Sequence, residues 1–274
     1  MKPWRQLAAA GLTLLLLGWF SAAPAAPSAK LWERWNEFNP ASNATIDHAS
    51  WSNWLKSFVS TDVDGVNRVA YGSVTQSDRK LLETYIDNLT SLQISDYNRD
   101  QQLAYWINLY NALTIDIVLE HYPLDSIREI SSGFFSSGPW RLKLAKIEGE
   151  ALTLDDIEHR ILRPVWQDPR IHYAVNCASL GCPNLQLSAF TAENTETLLD
   201  KAARDYINSP RGAEVIDNKL RVSRIYDWFE KDFGGNETGV IGHLLQYASG
   251  DLATALGPIE DIDAYAYDWQ INAQ

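Results

Sequence analysis

Residues 100–121 read DQQLAYWINLYNALTIDIVLEH, and nearly every face of that run, wound as a helix, is apolar. A helix with one apolar stripe lies on a core, whereas a helix that is apolar all round has to be enclosed by one. Pro123 stands just past the run and ends it. The expectation is a central buried helix with the rest of the chain wrapped round it. Asn108 and Asn111 are three apart and share one face of this helix, near Tyr105 and Ala112. Buried amides need partners. Either the two asparagines bond to loop backbone in an internal network or they line a ligand site.

The flanking segments alternate between short helices and short strands. A short helix is expected around Leu31 to Phe38 in a polar lead-in, 26–50, that packs on the surface. Serine-capped SWSNWLKSF (50–58) and the segment Asp78 to Leu92 both carry apolar residues at helical spacing. Between them DGVNRVAYGSV offers a turn at Asp64-Gly65 and a brief alternating strand. WRLKLAKI and EGEALTL read as strands, then Leu154 to Arg163 as a capped helix stopped by Pro164. RIHYAVN (170–176) reads as a strand, Ser188 to Asn208 as a long amphipathic helix, and Ala213 to Val222 as a hairpin turning at Asp217-Asn218. Two helices, Ser223 to Phe233 and Thr238 to Ala248, precede the aromatic tail DAYAYDWQIN. Without regular βαβ alternation, the fold class is α+β. It is expected as one domain over 51–272, with a mostly antiparallel sheet against the buried helix and several peripheral helices.

Lys2 and Arg5, the apolar run Leu7 to Phe20, and small-x-small Ala23-Pro24-Ala25 together form a cleavable export signal over residues 1–25. The expected localisation is periplasmic or secreted. The apolar run is shorter than the roughly 20 residues of a spanning helix, so no membrane span is expected in the mature chain. The full chain has a formal charge of −12, and cleavage would remove two cations and no acid. Such a surface repels a phosphate backbone, which argues against nucleic acid as a partner. The eleven tryptophans and twelve tyrosines supply core, and near a cleft they supply a binding wall.

Chemistry could gather at NCASLGCP (176–183), which holds both cysteines of the chain at the end of the expected strand. An oxidising compartment favours a Cys177 to Cys182 disulfide round a loop in which Gly181 can turn. Alternatively Cys177 is a nucleophile, which requires a base and a group to orient it. Strand alternation would turn His172 away from Cys177, leaving His159 as base, with Glu158, Asn176 or a more distant Asp or Asn as orienter. Asn176, Ser179 and nearby N–H groups could then hold an oxyanion. A metal clip of Cys177, Cys182, His159 and His172 matches no ordinary zinc spacing, and neither a metal nor another cofactor is expected. A redox pair is the last alternative, with a spacing wider than Cys-x-x-Cys. His48, His121 and His243 are expected at the surface or at helix ends.

Five ordered stretches, DGVNRVAY, AYWINLYNALTI, LTLDDIEHRILR, DPRIHYAVNCASLGCPNL and YDWQIN, resemble the family catalogued as domain of unknown function 547, from about Trp51 to Asn272. Ala70 departs from that pattern, where an acidic residue is expected. The resemblance implies bacterial members that are often exported, and intracellular relatives in plants and animals, some joined to glutaredoxin-like or helical zipper segments. If those relatives keep both cysteines, a thiol-based role gains on a purely structural disulfide. A papain-like or transglutaminase-like relationship would require a rearranged chain order, since His159 precedes Cys177 here.

Two functions follow as expectations. The first is a cysteine-dependent hydrolase or acyl transferase acting on an amide or ester in the cell envelope through Cys177 and His159. The alternative is a non-catalytic binding module whose loop is locked by the disulfide and which takes a peptide, glycan or small molecule. Its ligand would lie near Asn108, Asn111, Ser179 and Tyr173, with Trp140 and Trp228 completing an aromatic groove.

Overall fold

The computed structural model describes residues 27–130 and 138–274. The export signal expected at 1–25 lies outside them. A 3-10 turn, Glu33–Asn36, opens the described chain and drives Trp35 into the core against Trp106. The lead-in is thus anchored rather than laid on the surface. Helix α1 (Ala49–Phe58) buries Trp51, Trp54 and Leu55, the positions its spacing picked out. A ribbon of β1 (Val59–Thr61) and β2 (Asn67–Val69) follows, joined through a turn at Gly65, which has positive φ. Helix α2 (Gln76–Thr90) starts at a reciprocal Thr75/Asp78 capping box, which satisfies two end N–H groups.

Helix α3 (Arg99–His121) is the enclosed element, buried continuously from Gln101 to Ile115. Asn98 caps it by accepting the Gln101 N–H at 3.0 Å. Each aliphatic side chain it buries contributes roughly 2 kcal/mol. Helix α2 packs directly along it.

The strands β3 (Ala145–Ile147) and β4 (Glu150–Leu152) form a second ribbon, turning through Glu148 and Gly149 at positive φ. A π-helix (Asp156–Leu162) then runs without a break into α4 (Arg163–Trp166). Pro164 does not stop this helix, because it follows a π-helical turn and the carbonyl its missing N–H would have reached, Arg160 O, accepts the Trp32 N–H at 3.0 Å instead. The helix α5 (Thr195–Ile207) is shorter than expected and buries Leu199, Ala203 and Tyr206. The hairpin of β5 (Ala213–Ile216) and β6 (Lys219–Ser223) turns at Asp217 and Asn218, both left-handed, as a two-residue hairpin turn requires. Helices α6 (Ile225–Trp228), α7 (Glu237–Tyr247) and α8 (Gly250–Leu256) follow, and β7 (Ala264–Ala266) returns to pair in parallel with β6.

The class is α+β, with the antiparallel pairing divided among three small sheets. Among the described residues two apolar clusters fill it. One surrounds α3, and a smaller one packs Tyr173 and α5 against the β5–β6 hairpin, α6 and α7. No helix among the described residues is long and apolar enough to cross a membrane.

Candidate functional site

The cysteine loop does not leave a strand. Residues Pro169–Tyr173 form a 3-10 helix, capped by the Asp168 carboxylate on the Arg170 N–H at 2.8 Å. Asp-Pro begins a helical turn readily, and among the described residues no strand pairs with RIHYAVN. The alternation that separated His172 from Cys177 therefore does not apply.

Asn111 of α3 seizes the chain as it leaves this turn. Its Nδ2 donates to Ala174 O at 2.9 Å, and its Oδ1 accepts the Asn176 N–H at 2.8 Å. Asn176 braces the loop from within, accepting the Ala178 N–H at 2.8 Å and donating to Pro183 O at 2.7 Å. Cys177 and Cys182 are joined as a disulfide. Ala178, between them, has φ of +57°, a left-handed conformation that costs a non-glycine residue about 1 kcal/mol or more. Gly181 serves a different purpose from free turning. A Cβ there would lie 2.7 Å from Asp268 N, so only glycine lets the C-terminal tail approach.

That tail is welded to the loop by backbone bonds. Gly181 N–H donates to Asp268 O, Leu180 N–H to Gln270 O, and Asn272 N–H to Ala178 O. Tyr206 donates to Gly181 O at 2.6 Å, and Arg211 to the Leu180 and Cys182 carbonyls. A loop whose backbone groups are so fully paired is held in one shape.

Tyr267 comes with the tail. Its hydroxyl lies 3.0 Å from Cys177 Sγ and 3.2 Å from Cys182 Sγ, and it accepts from Ser179 Oγ at 3.0 Å. Burial first, and the neighbouring Tyr206 next, push its pKa well up, so the hydroxyl keeps its proton. The Tyr267 ring continues a wall of half-buried aromatics. It packs on Trp228 and Trp269 at 4.8 and 4.7 Å between centroids, and Trp140 meets Trp269 at 5.8 Å. Trp140 and Trp269 belong to the larger apolar cluster, Trp228 and Tyr267 to the smaller. The wall thus stands on the seam between the two cores. Arg128 lies over Trp269, and Arg141 and Asp155 flank Trp140.

Glu158 and His159 sit on the π-helix, an irregularity often found at functional sites. Thr153 and Asp156 bond reciprocally across the turn that leads into it. His159 is buried, and its Nδ1 accepts from Arg163 at 3.0 Å. Burial, then the Arg163 charge, lowers its pKa to about 4. The same Arg163 pairs with Asp232 at 2.6 Å, and Asp232 accepts from His172 Nε2 at 2.8 Å. Burial would raise the Asp232 pKa, but the bonds from His172 and Arg163 outweigh it and hold the carboxyl well below its usual range. Glu158 accepts from the Tyr110 hydroxyl at 3.0 Å, and burial raises its pKa against the pull of His172. Phe229 stacks on His172 at 4.3 Å and links this network to the wall through its neighbour Trp228.

The expected residues thus fall into two groups. The polar partners of Cys177 Sγ are Tyr267 and Ser179, whereas those of His159 are Arg163, Asp155 and Glu158. Neither set includes the other residue. Asn108 pairs with the Phe190 backbone through both ends of its amide, so both asparagines serve the internal network. Tyr173 does not line the wall, because it is fully buried and bonded to Tyr226 and His243. His48 and His243 are interior residues, His48 bonding Tyr85 at 2.6 Å, while His121 does end α3. Among the described residues no three His, Cys, Asp or Glu converge to hold a metal ion. Tyr267, Trp269, Arg163 and Asp232 were not singled out in advance. Only the aromatic density of the tail and the four-residue step from His159 to Arg163 hinted at them.

The family described as "Protein of unknown function, DUF547" matches residues 94–207, from the lead-in to α3 through the π-helix and cysteine loop to the end of α5. The chain resembles that family over this span, while the aromatic tail that brings Tyr267 lies beyond it. No curated protein and no solved structure matches the chain.

Proposed function

We propose that this chain is an exported binding module that holds a glycan of the cell envelope against the wall of Trp140, Trp228, Tyr267 and Trp269. The observation that carries this reading is a contiguous set of half-buried aromatic rings, fixed to a loop that a disulfide and the C-terminal tail hold rigid. A sugar ring has an apolar C–H face that suits an indole and a rim of hydroxyls that needs both donors and acceptors. Arg141 and Asp155 supply both at the edge of the wall. Rigid aromatics lose little entropy on binding, and a loop already in place pays no ordering cost. Titration of tryptophan fluorescence with soluble cell-wall glycan oligomers tests this. Saturable binding is expected, weakened tenfold or more by Trp228→Ala and Trp269→Ala with the fold intact. Absence of binding, or binding unaffected by both substitutions, rejects it.

The hydrolase or acyl transferase reading draws on two features, the left-handed Ala178 beside a half-buried Cys177 and the π-helix under His159. It ranks second because the sulfur is in a disulfide and the Nδ1 lone pair of His159 is taken by Arg163. Fast, selective alkylation of Cys177 in the native protein, slowed by His159→Ala, would restore it to first place.

A further inference from the structure

The two sulfurs of the disulfide are in unequal surroundings. Cys177 is half-buried, while Cys182 is only 5 % exposed. Cys177 is therefore the more accessible of the two to an incoming thiolate. The sulfur that would leave, Cys182 Sγ, already accepts the Cys177 N–H at 3.0 Å and has the Tyr267 hydroxyl at 3.2 Å. The sulfur that would be attacked shares that hydroxyl at 3.0 Å. Ser179 donates to the Tyr267 oxygen, and this polarises the phenolic O–H toward the sulfurs. A disulfide sulfur is a weak acceptor, whereas a thiolate is a strong one, so these donors favour the products of cleavage over the intact bond. A purely structural bridge has no need of such an arrangement.

We infer that the Cys177–Cys182 pair is a thiol–disulfide exchange site, reduced by a dithiol through attack on Cys177, with Tyr267 holding the departing Cys182 thiolate. One thiolate of the dithiol attacks Cys177 Sγ, a new S–S bond forms, the old one breaks, and its electron pair goes to Cys182 Sγ. The second thiolate of the dithiol then attacks its own sulfur in the mixed disulfide and releases Cys177. The dithiol loses two electrons and becomes a disulfide, while the protein pair gains two electrons and, from the dithiol and solvent, two protons. The inference goes beyond the glycan reading and needs no ligand. Opening the bridge would remove one restraint on the loop that carries the wall, so binding and redox state become linked.

The test uses the oxidised chain. Reaction with glutathione, acid quenching and peptide mapping locate the first mixed disulfide, expected on Cys177. Equilibration with dithiothreitol redox buffers then compares the parent with Tyr267→Phe. The variant should be about tenfold harder to reduce, about 30 mV for a two-electron couple, and opened more slowly. Ser179→Ala, which leaves the ring packing untouched, should shift the equilibrium the same way by at least threefold and stands in if Tyr267→Phe does not fold. A mixed disulfide on Cys182, or a shift of less than threefold in the folded variant, overturns the inference. Glycan titration of the oxidised chain is a separate measurement, so either proposal can fail without the other.

Discussion

Arg163 donates to Nδ1 of His159 at 3.0 Å, and a neutral imidazole that accepts at Nδ1 carries its proton on Nε2. That proton points toward Asp155 Oδ1, 3.7 Å away. His159 is thereby a donor at its second nitrogen, the opposite of what a cysteine nucleophile requires of its base. Nitrogen NMR of the native protein should find the Nε2–H tautomer at neutral pH, and an Nδ1–H signal would contradict the assignment.

Arg163 also neutralises Asp232, so removing the guanidinium leaves a carboxylate and two histidines without their cation. Arg163→Met should cost about 3 kcal/mol, the scale for breaking a largely buried pair. Asp232→Asn in the same chain should recover part of that loss. Additive losses in urea unfolding would mean that the two residues do not act as a pair.

Asn111→Leu tests the clamp on the cysteine loop. The substitution keeps the branching at Cγ but adds bulk, and it leaves Ala174 O and the Asn176 N–H without partners in a buried place, at about 1–3 kcal/mol each. A total loss near 3 kcal/mol is expected, with faster amide exchange at Asn176. If exchange there is unchanged, the loop does not depend on α3 for its shape.

The part of the fold that was legible in the sequence is the part made by local pattern. α1, α2 and α3 follow from apolar spacing, caps and a following proline, all decided within a few residues. The β5–β6 hairpin follows from Asp217-Asn218 for the same reason. RIHYAVN misled because its alternation was real, but a strand exists only where another strand pairs with it. Pro164 misled because its meaning depends on the turn that precedes it and on what bonds the carbonyl it leaves free. The short α8 begins at a glycine and spans two turns at most, too few for a period to show.

At the site the sequence marked the loop and both asparagines, because paired cysteines and buried amides stand out locally. It did not mark Tyr267, whose contact with Cys177 spans 90 positions. It also could not show that Arg163 takes the lone pair of His159, since neighbours on a helix can face one another without bonding. Gly181 was noticed for the wrong reason. Its value is the approach of a tail almost 90 residues further on, which no window of the chain displays.

The disulfide closes a short loop, with a sequence separation of 5. Chain-entropy arguments give about 2 kcal/mol for a ring of that size. Cys177→Ser with Cys182→Ser should lower the urea midpoint by the equivalent of that amount, as should reduction of the parent. A loss above roughly 5 kcal/mol would show instead that the whole seam between the cores depends on the bridge.

The buried histidines set a pH dependence whose sign can be worked out. His48 is held near 4 instead of 6.5, by burial chiefly, with Asp47 and Glu193 pulling the other way. Its ring is enclosed, with Nδ1 on Tyr85 and no partner found for Nε2 among the described residues. Between these two values the unfolded chain binds the proton and the folded chain does not. Stability is therefore full above the unfolded pKa and falls as pH drops toward the folded one. The shift corresponds to about 3 kcal/mol at most. His159 and His243, also lowered to about 4 by burial, act in the same window. Glu158 and Asp155 are raised by burial and act with the opposite sign, losing their contribution as pH rises past the usual carboxylate range. A single substitution isolates one term from this balance. His48→Gln should unfold with a flatter dependence of the urea midpoint on pH than the parent between about pH 7.5 and about pH 4.5. The difference between the two curves should grow steadily toward the acid end, whatever constant offset the substitution adds. Parallel curves would mean that His48 takes up its proton in the folded state as readily as in the unfolded one.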